Sequence, residues 1–350
     1  MEDSFMHTHD YLGGVDCSMG LLNSNELHFE SVVIDGLNVS VWDLDVFEGL
    51  KRGGVTAINA TTAVYEGFRG TVRNIEQWNL KFDAYKNLIM PIRRVEDIGE
   101  AKERGGVGII IGFQNTSPLE DDVNLLQVFR DLGVRIMQLT YNDRNYSGDG
   151  CFERTDSGLS EFGLRVVGEM NRQGILIDLS HTGYRTAMDA IEVSDDPVAF
   201  THANPKALLE NPRNKTDEQI KALAEKGGVI GATPYPIFLP AGYRSKLSDF
   251  LDVMDYLVDL VGVNHVAVGT DFTEKQPEEF FIWLHTGKSW ERPFSELEYP
   301  VIYPEGIRSA DEFPNITRGL VERGYTESEV KKMIGENWLR LYSQVWKPIS

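Results

Sequence analysis

The chain has 350 residues, of which 41% are hydrophobic and 25% are charged, so it can bury a sizeable core and is not a disordered protein. Its formal charge is −20, from 34 basic and 54 acidic side chains, which argues against nucleic acid or anionic lipid as a partner. The longest apolar runs, such as residues 107–111, are far shorter than the roughly 20 residues that a membrane-spanning helix needs.

The N-terminal residues, MEDSFMHTHDYLGG, are acidic and polar, which is not the basic and then apolar pattern of a secretory signal. We therefore expect a cytoplasmic protein. The chain has 2 cysteines, Cys17 and Cys151, and without close spacing they favour neither a disulfide framework nor a thiolate zinc site. A single disulfide between Cys17 and Cys151 is the alternative that the sequence leaves undecided.

From residue 32 onward, short β-rich runs alternate with segments of helical spacing, which is typical of βα units around a parallel sheet. Apolar residues recur at intervals of three and four between the runs, for example at 74–89 and 160–174. The pattern, without a low-complexity linker, predicts an α/β fold with a (β/α)8 TIM barrel in a single domain over residues 31–350, preceded by an N-terminal extension at 1–30. The predicted strands are residues 32–36, 55–60, 107–114, 135–141, 174–180, 198–203, 229–235 and 265–271.

Residues 273–305 interrupt the alternation after the eighth predicted strand and are rich in aromatic residues and proline. An insertion at this place lies at the catalytic face of a TIM barrel. We interpret it as a lid, and a packed surface insertion or a subunit contact is the alternative.

Reacting groups of this fold project from the C-terminal ends of the strands. His181 directly follows the fifth run, the sixth contains His202, and the eighth ends at Asp271. Adjacent parallel strands lie about 4.8 Å apart, so the two imidazoles can share one ion. Histidine nitrogens with a carboxylate and an open position for water are typical of catalytic zinc. The sequence therefore predicts a metal site of His181, His202 and Asp271, with a structural role for the histidines as the alternative.

Several segments, in order, carry a family resemblance: DLSH at 178–181, THANPKAL at 201–208, PRNKTDEQIKALAEKGGVIG at 212–231, HVAVGTDF at 265–272 and GENWLRLY at 335–342. They resemble the membrane (renal) dipeptidase family of the amidohydrolase superfamily. The resemblance implies a metal-dependent-hydrolase barrel with two zinc ions, and a homodimer. It also implies that His181 and His202 are metal ligands, that Arg213 holds the substrate carboxylate, and that Asp271 exchanges a proton with the scissile group.

Other family positions differ in this chain. The first-strand His-x-Asp ligand pair corresponds to Leu37 and Val39, and the bridging Glu corresponds to Gln114. A substrate-facing His corresponds to Tyr141. Because these changes remove charge and donor atoms, we expect at most one zinc ion and no ordinary dipeptidase centre.

Further residues near the strand ends are candidates for substrate binding. Arg213 and Arg144 suit bidentate pairing with a carboxylate, with a surface ion pair as the alternative. Tyr141, Asn142 and Gln114 complete the predicted substrate-binding set. We expect the partner to be a small-molecule substrate.

Asp178 precedes the fifth-strand histidine by three residues. We interpret it as a partner that orients a histidine, with a capping role as the alternative.

Three functions remain open from the sequence. The first is hydrolysis of a C–N bond in a small carboxylate-bearing molecule, with His181, His202 and Asp271 as the catalytic residues. The second is metal-free elimination or isomerisation in the same pocket. The third is a catalytically inactive family member that binds a ligand.

Overall fold

The computed structural model describes residues 17–286 and 298–348. Nine strands form one parallel sheet. They are β1 Ile34–Asn38, β2 Ala57–Ala63, β3 Ile89–Pro91, β4 Val107–Phe113, β5 Val134–Gln138, β6 Leu176–Asp178, β7 Ala199–Phe200, β8 Val229–Ala232 and β9 Val266–Val268. Eight of them follow the order β1-β2-β4-β5-β6-β7-β8-β9, which confirms the predicted strands and the (β/α)8 barrel.

The barrel is nearly closed by contacts between β1 and the chain after β9. Asn38 forms a parallel bridge with Phe272, and the Val39 amide donates to the Phe272 carbonyl at 2.7 Å. The Asp271 amide donates to the Leu37 carbonyl at 2.9 Å. These contacts bring the ends of the first and eighth barrel strands together.

Strand β3 is absent from the prediction. It pairs with β4 at residues 107–109, while β5 pairs with the same edge further along, at 111–113. The predicted helical segment ran to Ile89, but the helix ends at Ala84. Residues 89–91 are short enough that the local apolar pattern does not distinguish a strand from a continued helix.

The helices surround the sheet, and their apolar faces pack on it. The helices are α1 Cys17–Glu30, α2 Leu44–Arg52, α3 Phe68–Ala84, α4 Glu96–Glu103, α5 Leu125–Asp131, α6 Glu161–Gln173, α7 Tyr184–Val193, α8 Asp217–Glu225, α9 Leu247–Val261, α10 Glu278–Thr286, α11 Phe313–Glu322, α12 Glu327–Lys331 and α13 Asn337–Val345.

Helix α6 shows how these helices begin and end. The Ser160 side chain caps its start by accepting a hydrogen bond from the Gly163 amide, and Gly174, at φ 69°, ends it. In the part of the chain that the structure describes, no helix is long and apolar enough to cross a membrane.

The interior of the barrel is a separate apolar cluster, to which each of the eight barrel strands contributes one residue. Helix α13 adds Trp338, Leu341 and Tyr342 to this cluster, and Trp338 Nε1 donates to the Val268 carbonyl at 3.0 Å. The helical spacing of apolar residues over 329–346 predicts a C-terminal helix that packs against the outside of the barrel, and this is wrong for α13. Helix α13 instead fills the barrel at its N-terminal end, because most of the strand residues in the cluster lie early in their strands.

Helix α1, within the predicted N-terminal extension, ends against the barrel. The buried His28 donates from Nε2 to the Gly53 carbonyl at 2.8 Å, and its Nδ1 accepts from the Thr317 hydroxyl at 2.6 Å. Burial lowers the pKa of His28 to about 4, so it is neutral. The domain boundary near residue 30 stays a prediction. Residues 287–297 of the predicted lid lie outside the described residues.

Candidate active site

The C-terminal ends of the barrel strands enclose a small pocket of about 50 Å³. Six of the predicted site residues line it: Gln114, Tyr141, Asn142, His181, Arg213 and Asp271. His202 contacts His181 directly beneath the pocket, whereas Arg144 lies elsewhere. The fold therefore gathers most of the predicted set, because it brings the ends of distant strands to one face.

The two histidines face each other. His181 follows β6 and His202 follows β7, and their Nε2 atoms are 3.0 Å apart. His181 Nδ1 is 2.7 Å from Asn142 Oδ1, and His202 Nδ1 is 2.8 Å from Thr201 Oγ1. Burial, reinforced by the charge of Arg213, lowers the pKa of both histidines well below its ordinary value, so both imidazoles are neutral.

A buried carboxylate orients this pair. Asp178 accepts from the amide and hydroxyl of Ser180, at 2.9 and 2.6 Å, and from those of Thr201, at 3.0 and 2.7 Å. Because the Thr201 hydroxyl donates to Asp178, its oxygen accepts from Nδ1–H of His202. Asp178 therefore orients His202 through Thr201, as the interpretation from sequence expected in outline.

The same arrangement recurs at the first strand. Asp35 accepts from the Thr270 amide at 2.7 Å and from the Thr270 hydroxyl at 2.6 Å, which fixes the residue before Asp271. Burial raises the pKa of Asp35 to about 6. Sequence reasoning missed this role, although an Asp in one barrel strand and a Thr at the end of the adjacent strand, as with Asp178 and Thr201, was a usable signal.

Asp271 lies where a proton-transferring group is expected. Its backbone has φ 53°, a left-handed conformation that is uncommon for a residue other than glycine. Burial raises the pKa of its carboxyl to about 7, and the nearby acids Asp35 and Asp178 add to this, while Arg213 opposes it. The carboxyl group therefore changes protonation near neutral pH, which suits an acid–base catalyst.

Arg213 is almost completely buried beside the pocket. Nη2 donates to the His202 carbonyl at 2.8 Å, and Nη1 donates to the Ser180 carbonyl. Its Nε is buried without a hydrogen-bond partner, and the guanidinium lies 5.3 Å from the Phe238 ring centroid. The side chain thus holds both histidine-bearing loops and keeps a positive charge at the pocket wall.

Lys215 is a second buried cation that the sequence interpretation missed. Its Nζ donates to the Thr182 carbonyl at 3.0 Å and lies 5.2 Å from the Phe200 ring centroid. Burial, together with the charge of Arg213, lowers its pKa to about 7. Together Arg213 and Lys215 bind backbone carbonyls on either side of His181, so they position that histidine.

Tyr141 and Gln114, which replace a His and a Glu of the family, are uncharged side chains of the pocket. The Tyr141 ring stacks on His181, with centroids 4.1 Å apart and planes 22° apart. Burial raises the pKa of Tyr141 well above its ordinary value, so the phenol keeps its proton. Gln114 Nε2 donates to Thr61 Oγ1 at 2.9 Å.

Arg144 is not brought to the pocket. It forms an ion pair with the buried Asp149, donates to the Thr155 carbonyl at 3.2 Å, and has 51% of its side chain exposed. It lines a neighbouring cavity instead, so its role in substrate binding stays a prediction.

The donor set does not fit a two-ion centre. Across residues 17–286 and 298–348, no group of three or more His, Cys, Asp or Glu side chains is arranged to hold an ion. The predicted metal set of His181, His202 and Asp271 stays a prediction; what the structure shows of it is the contact between the two imidazoles. The two converging Nε2 atoms, whose Nδ1 atoms are held by oxygens, fit one ion at most.

Known proteins share this fold and sequence. An amidohydrolase of Pseudomonas aeruginosa is 43% identical, with a TM-score of 0.89 over 92% of this chain and 99% of that one. A metallopeptidase of Rhodobacter sphaeroides, solved with a phosphinate mimic of L-Ala-D-Ala, is 20% identical with a TM-score of 0.76, over 90% of this chain and 100% of that one, and supports the fold alone.

Curated relatives point to the same family. Dipeptidase verJ of Clonostachys rogersoniana is 27% identical over 81% of this chain and 67% of its own length. An uncharacterized dipeptidase of Schizosaccharomyces pombe is also 27% identical, over 80% of this chain, and the chain spans 62% of that relative. The family model described as membrane dipeptidase (peptidase family M19) matches residues 46–280, about two thirds of the chain. The chain therefore belongs to the membrane dipeptidase family, a family of peptide-bond hydrolases.

Proposed function

We propose that this protein hydrolyses a C–N bond, amide or peptide-like, in a small carboxylate-bearing molecule and uses at most one metal ion. The observation that carries the proposal is the presence of Asp271 and Arg213 in one pocket with the His181–His202 pair. Membership of a hydrolase family supports the reaction class.

His181 and His202 are the residues that would hold the ion, because neutral imidazoles with oriented rings are good ligands for zinc. The chemistry that such an ion supplies when bound is Lewis-acid polarisation of a carbonyl group. The ligand pair is neutral, and Arg213 and Lys215 lie close by, so we expect weak binding.

Asp271 and Arg213 act on the substrate in this proposal. Asp271 accepts a proton from the attacking water and delivers it to the leaving nitrogen, since a pKa of about 7 makes both transfers accessible near neutral pH. Arg213 attracts the substrate carboxylate through its charge and its free Nε–H. Tyr141, fully protonated, donates a hydrogen bond from the pocket wall.

A second candidate is metal-free elimination or isomerisation in the same pocket. It is favoured by one observation, the uncharged side chains of Leu37, Val39 and Gln114 at positions where the family has metal ligands. In this reaction Asp271 again transfers the proton.

The test is a product assay on the purified full chain with a panel of N-acyl amino acids, with zinc added and with zinc removed by chelator. Release of a free amino acid that depends on zinc supports the proposal, and Asp271→Asn should lower kcat by about 10²–10⁴-fold. A product without net addition of water, formed equally after chelation, would favour the second candidate. The cytoplasmic location and the homodimer stay predictions.

A further inference from the structure

The catalytic pocket is too small for a whole substrate. It measures about 50 Å³, whereas small-molecule sites usually have roughly 300–1,000 Å³. Two larger cavities adjoin it. The tryptophan cavity, about 270 Å³, contains Trp42, Trp78 and Trp283 and shares Val39 with the pocket; the Tyr141 cavity, about 670 Å³, shares Tyr141. A substrate that reaches Asp271 therefore extends beyond the pocket, and these two cavities are neighbouring spaces that share a lining residue with it.

Bulky rings separate the pocket from the Tyr141 cavity. Tyr141 stacks on His181, and the Tyr65 ring packs edge-on against Tyr141 with centroids 5.4 Å apart. The Tyr65 hydroxyl donates to the Leu284 carbonyl at 3.1 Å, which anchors this wall to helix α10. On that side the stacked rings of Tyr141 and Tyr65 form the wall.

The boundary with the tryptophan cavity is small and uncharged. Val39 stands where the family has a metal-binding Asp, and it lines both spaces. Beside it, Gln114 of the pocket donates to Thr61 of the tryptophan cavity at 2.9 Å. Val39, Gln114 and Thr61 carry no charge, so an apolar group that passes them removes no water from an ion; the charged lining residues of the cavity are Glu66 and Lys81.

Two pairs of aromatic rings line the tryptophan cavity. The ring centroids of Trp42 and Trp78 are 5.2 Å apart, and those of Phe280 and Trp283 of helix α10 are 5.8 Å apart. Trp78 Nε1 already donates to Thr62 Oγ1 at 3.1 Å, so its polar atom is satisfied. Aromatic walls of this kind pack best on a flat apolar group.

We infer that the tryptophan cavity is the subsite for a flat aromatic acyl group, so that the substrates are N-aroyl or N-arylacetyl amino acids. The carboxylate of such a molecule lies at Arg213, its amide bond lies beside Asp271, and its ring passes Val39 into the cavity. The inference rests on the proposed function for the position of the carboxylate and the scissile bond.

Calorimetric titration of the full-length protein with N-benzoylglycine and N-acetylglycine tests the subsite. We expect N-benzoylglycine to bind at least about tenfold more tightly, because its ring is buried between the aromatic walls. Trp283→Ala removes one wall and Val39→Phe narrows the passage, so each should reduce the affinity ratio to about one. Tyr146→Ala, which changes an exposed ring of the Tyr141 cavity, is the matched control and should leave the ratio unchanged.

Equal affinity for the two probes would overturn the inference, as would undetectable binding of N-benzoylglycine at millimolar concentration. A ratio that survives both Trp283→Ala and Val39→Phe would do the same, and a ratio lost only in Tyr146→Ala would assign the ring to the Tyr141 cavity.

Two further measurements separate the subsite from the proposed function. If N-benzoylglycinamide binds as tightly as N-benzoylglycine, the role of Arg213 in carboxylate binding fails while the aromatic subsite stands. Tight, ring-dependent binding of N-benzoylglycine without release of glycine or benzoate, in the presence of zinc, would refute hydrolysis of this class and leave the subsite intact.

Discussion

Asp271 shows how burial at a single residue changes both chemistry and stability. Its folded-state pKa of about 7 lies above its ordinary value of 3.8. Between these two values the folded state keeps a proton that the unfolded chain has lost, so the free energy of unfolding falls as pH rises from about 4 to about 7.

Asp271→Asn removes this dependence, because an amide does not ionise. We expect the variant to be more stable than the wild type by about 2 kcal/mol at pH 8, less than the full shift implies since the carboxyl opens onto the pocket, and about equally stable at pH 4. Urea unfolding of both proteins between pH 4 and 8 measures the difference. A constant difference across this range would contradict a raised pKa at Asp271.

The variant His181→Ala tests whether this residue is a zinc ligand. We expect the variant to keep its fold and to lose both bound zinc and hydrolytic activity, because His202 alone offers a single imidazole. Equilibrium dialysis against excess zinc, followed by elemental analysis of both compartments, gives the stoichiometry without removing a weakly bound ion. His265→Ala is the control, since His265 Nδ1 bonds the Gly228 carbonyl away from the pocket, and should retain the wild-type zinc content. Wild-type protein without stoichiometric zinc would exclude the metal-dependent mechanism.

Helix α13 has a different role from the other peripheral helices. It carries Trp338 and Tyr342 into the barrel interior, while Met333 and Ile334, just before it, pack in the outer shell between sheet and helices. A segment that bridges both cores couples them, so its contribution to stability exceeds that of a surface helix.

Trp338→Ala should therefore lower the free energy of unfolding by about 3–5 kcal/mol, the cost of a cavity left by a large aromatic side chain. Denaturant titration followed by circular dichroism measures the loss. Leu164→Ala, at a partly exposed position of α6, should cost less than about 1 kcal/mol. Similar losses for the two variants would show that α13 is only a peripheral element.

At the scale of the whole molecule, the barrel keeps the family architecture, while two of the family's metal-ligand positions carry apolar side chains and a third carries an amide. Leu37 and Val39 are buried, and Gln114 is tied to Thr61. We expect negligible hydrolysis of ordinary L,L-dipeptides such as Gly-Leu under conditions in which a two-zinc relative is active.

The combined variant Leu37→His, Val39→Asp and Gln114→Glu restores the donor types of the family and should bind more zinc per chain than the wild type. Amino-acid release from Gly-Leu and elemental analysis are the two measurements. Fast dipeptide hydrolysis by the unmodified protein would refute the charge argument.

The sequence by itself determined the eight barrel strands and the strand-end positions of His181, His202 and Asp271, because side-chain alternation, helical spacing and strand order are local properties of the chain. Only the tertiary structure decided that Arg144 forms an ion pair with Asp149 away from the pocket. It also decided that Arg213 donates hydrogen bonds to backbone carbonyls in the two loops that carry the histidines.

It also decided that α13 fills the barrel and that Trp42, Trp78 and Trp283 line one cavity. These outcomes depend on distances and on burial between residues far apart in sequence. Barrel closure sets those distances, and it is also what removes water from Asp271 and raises its pKa.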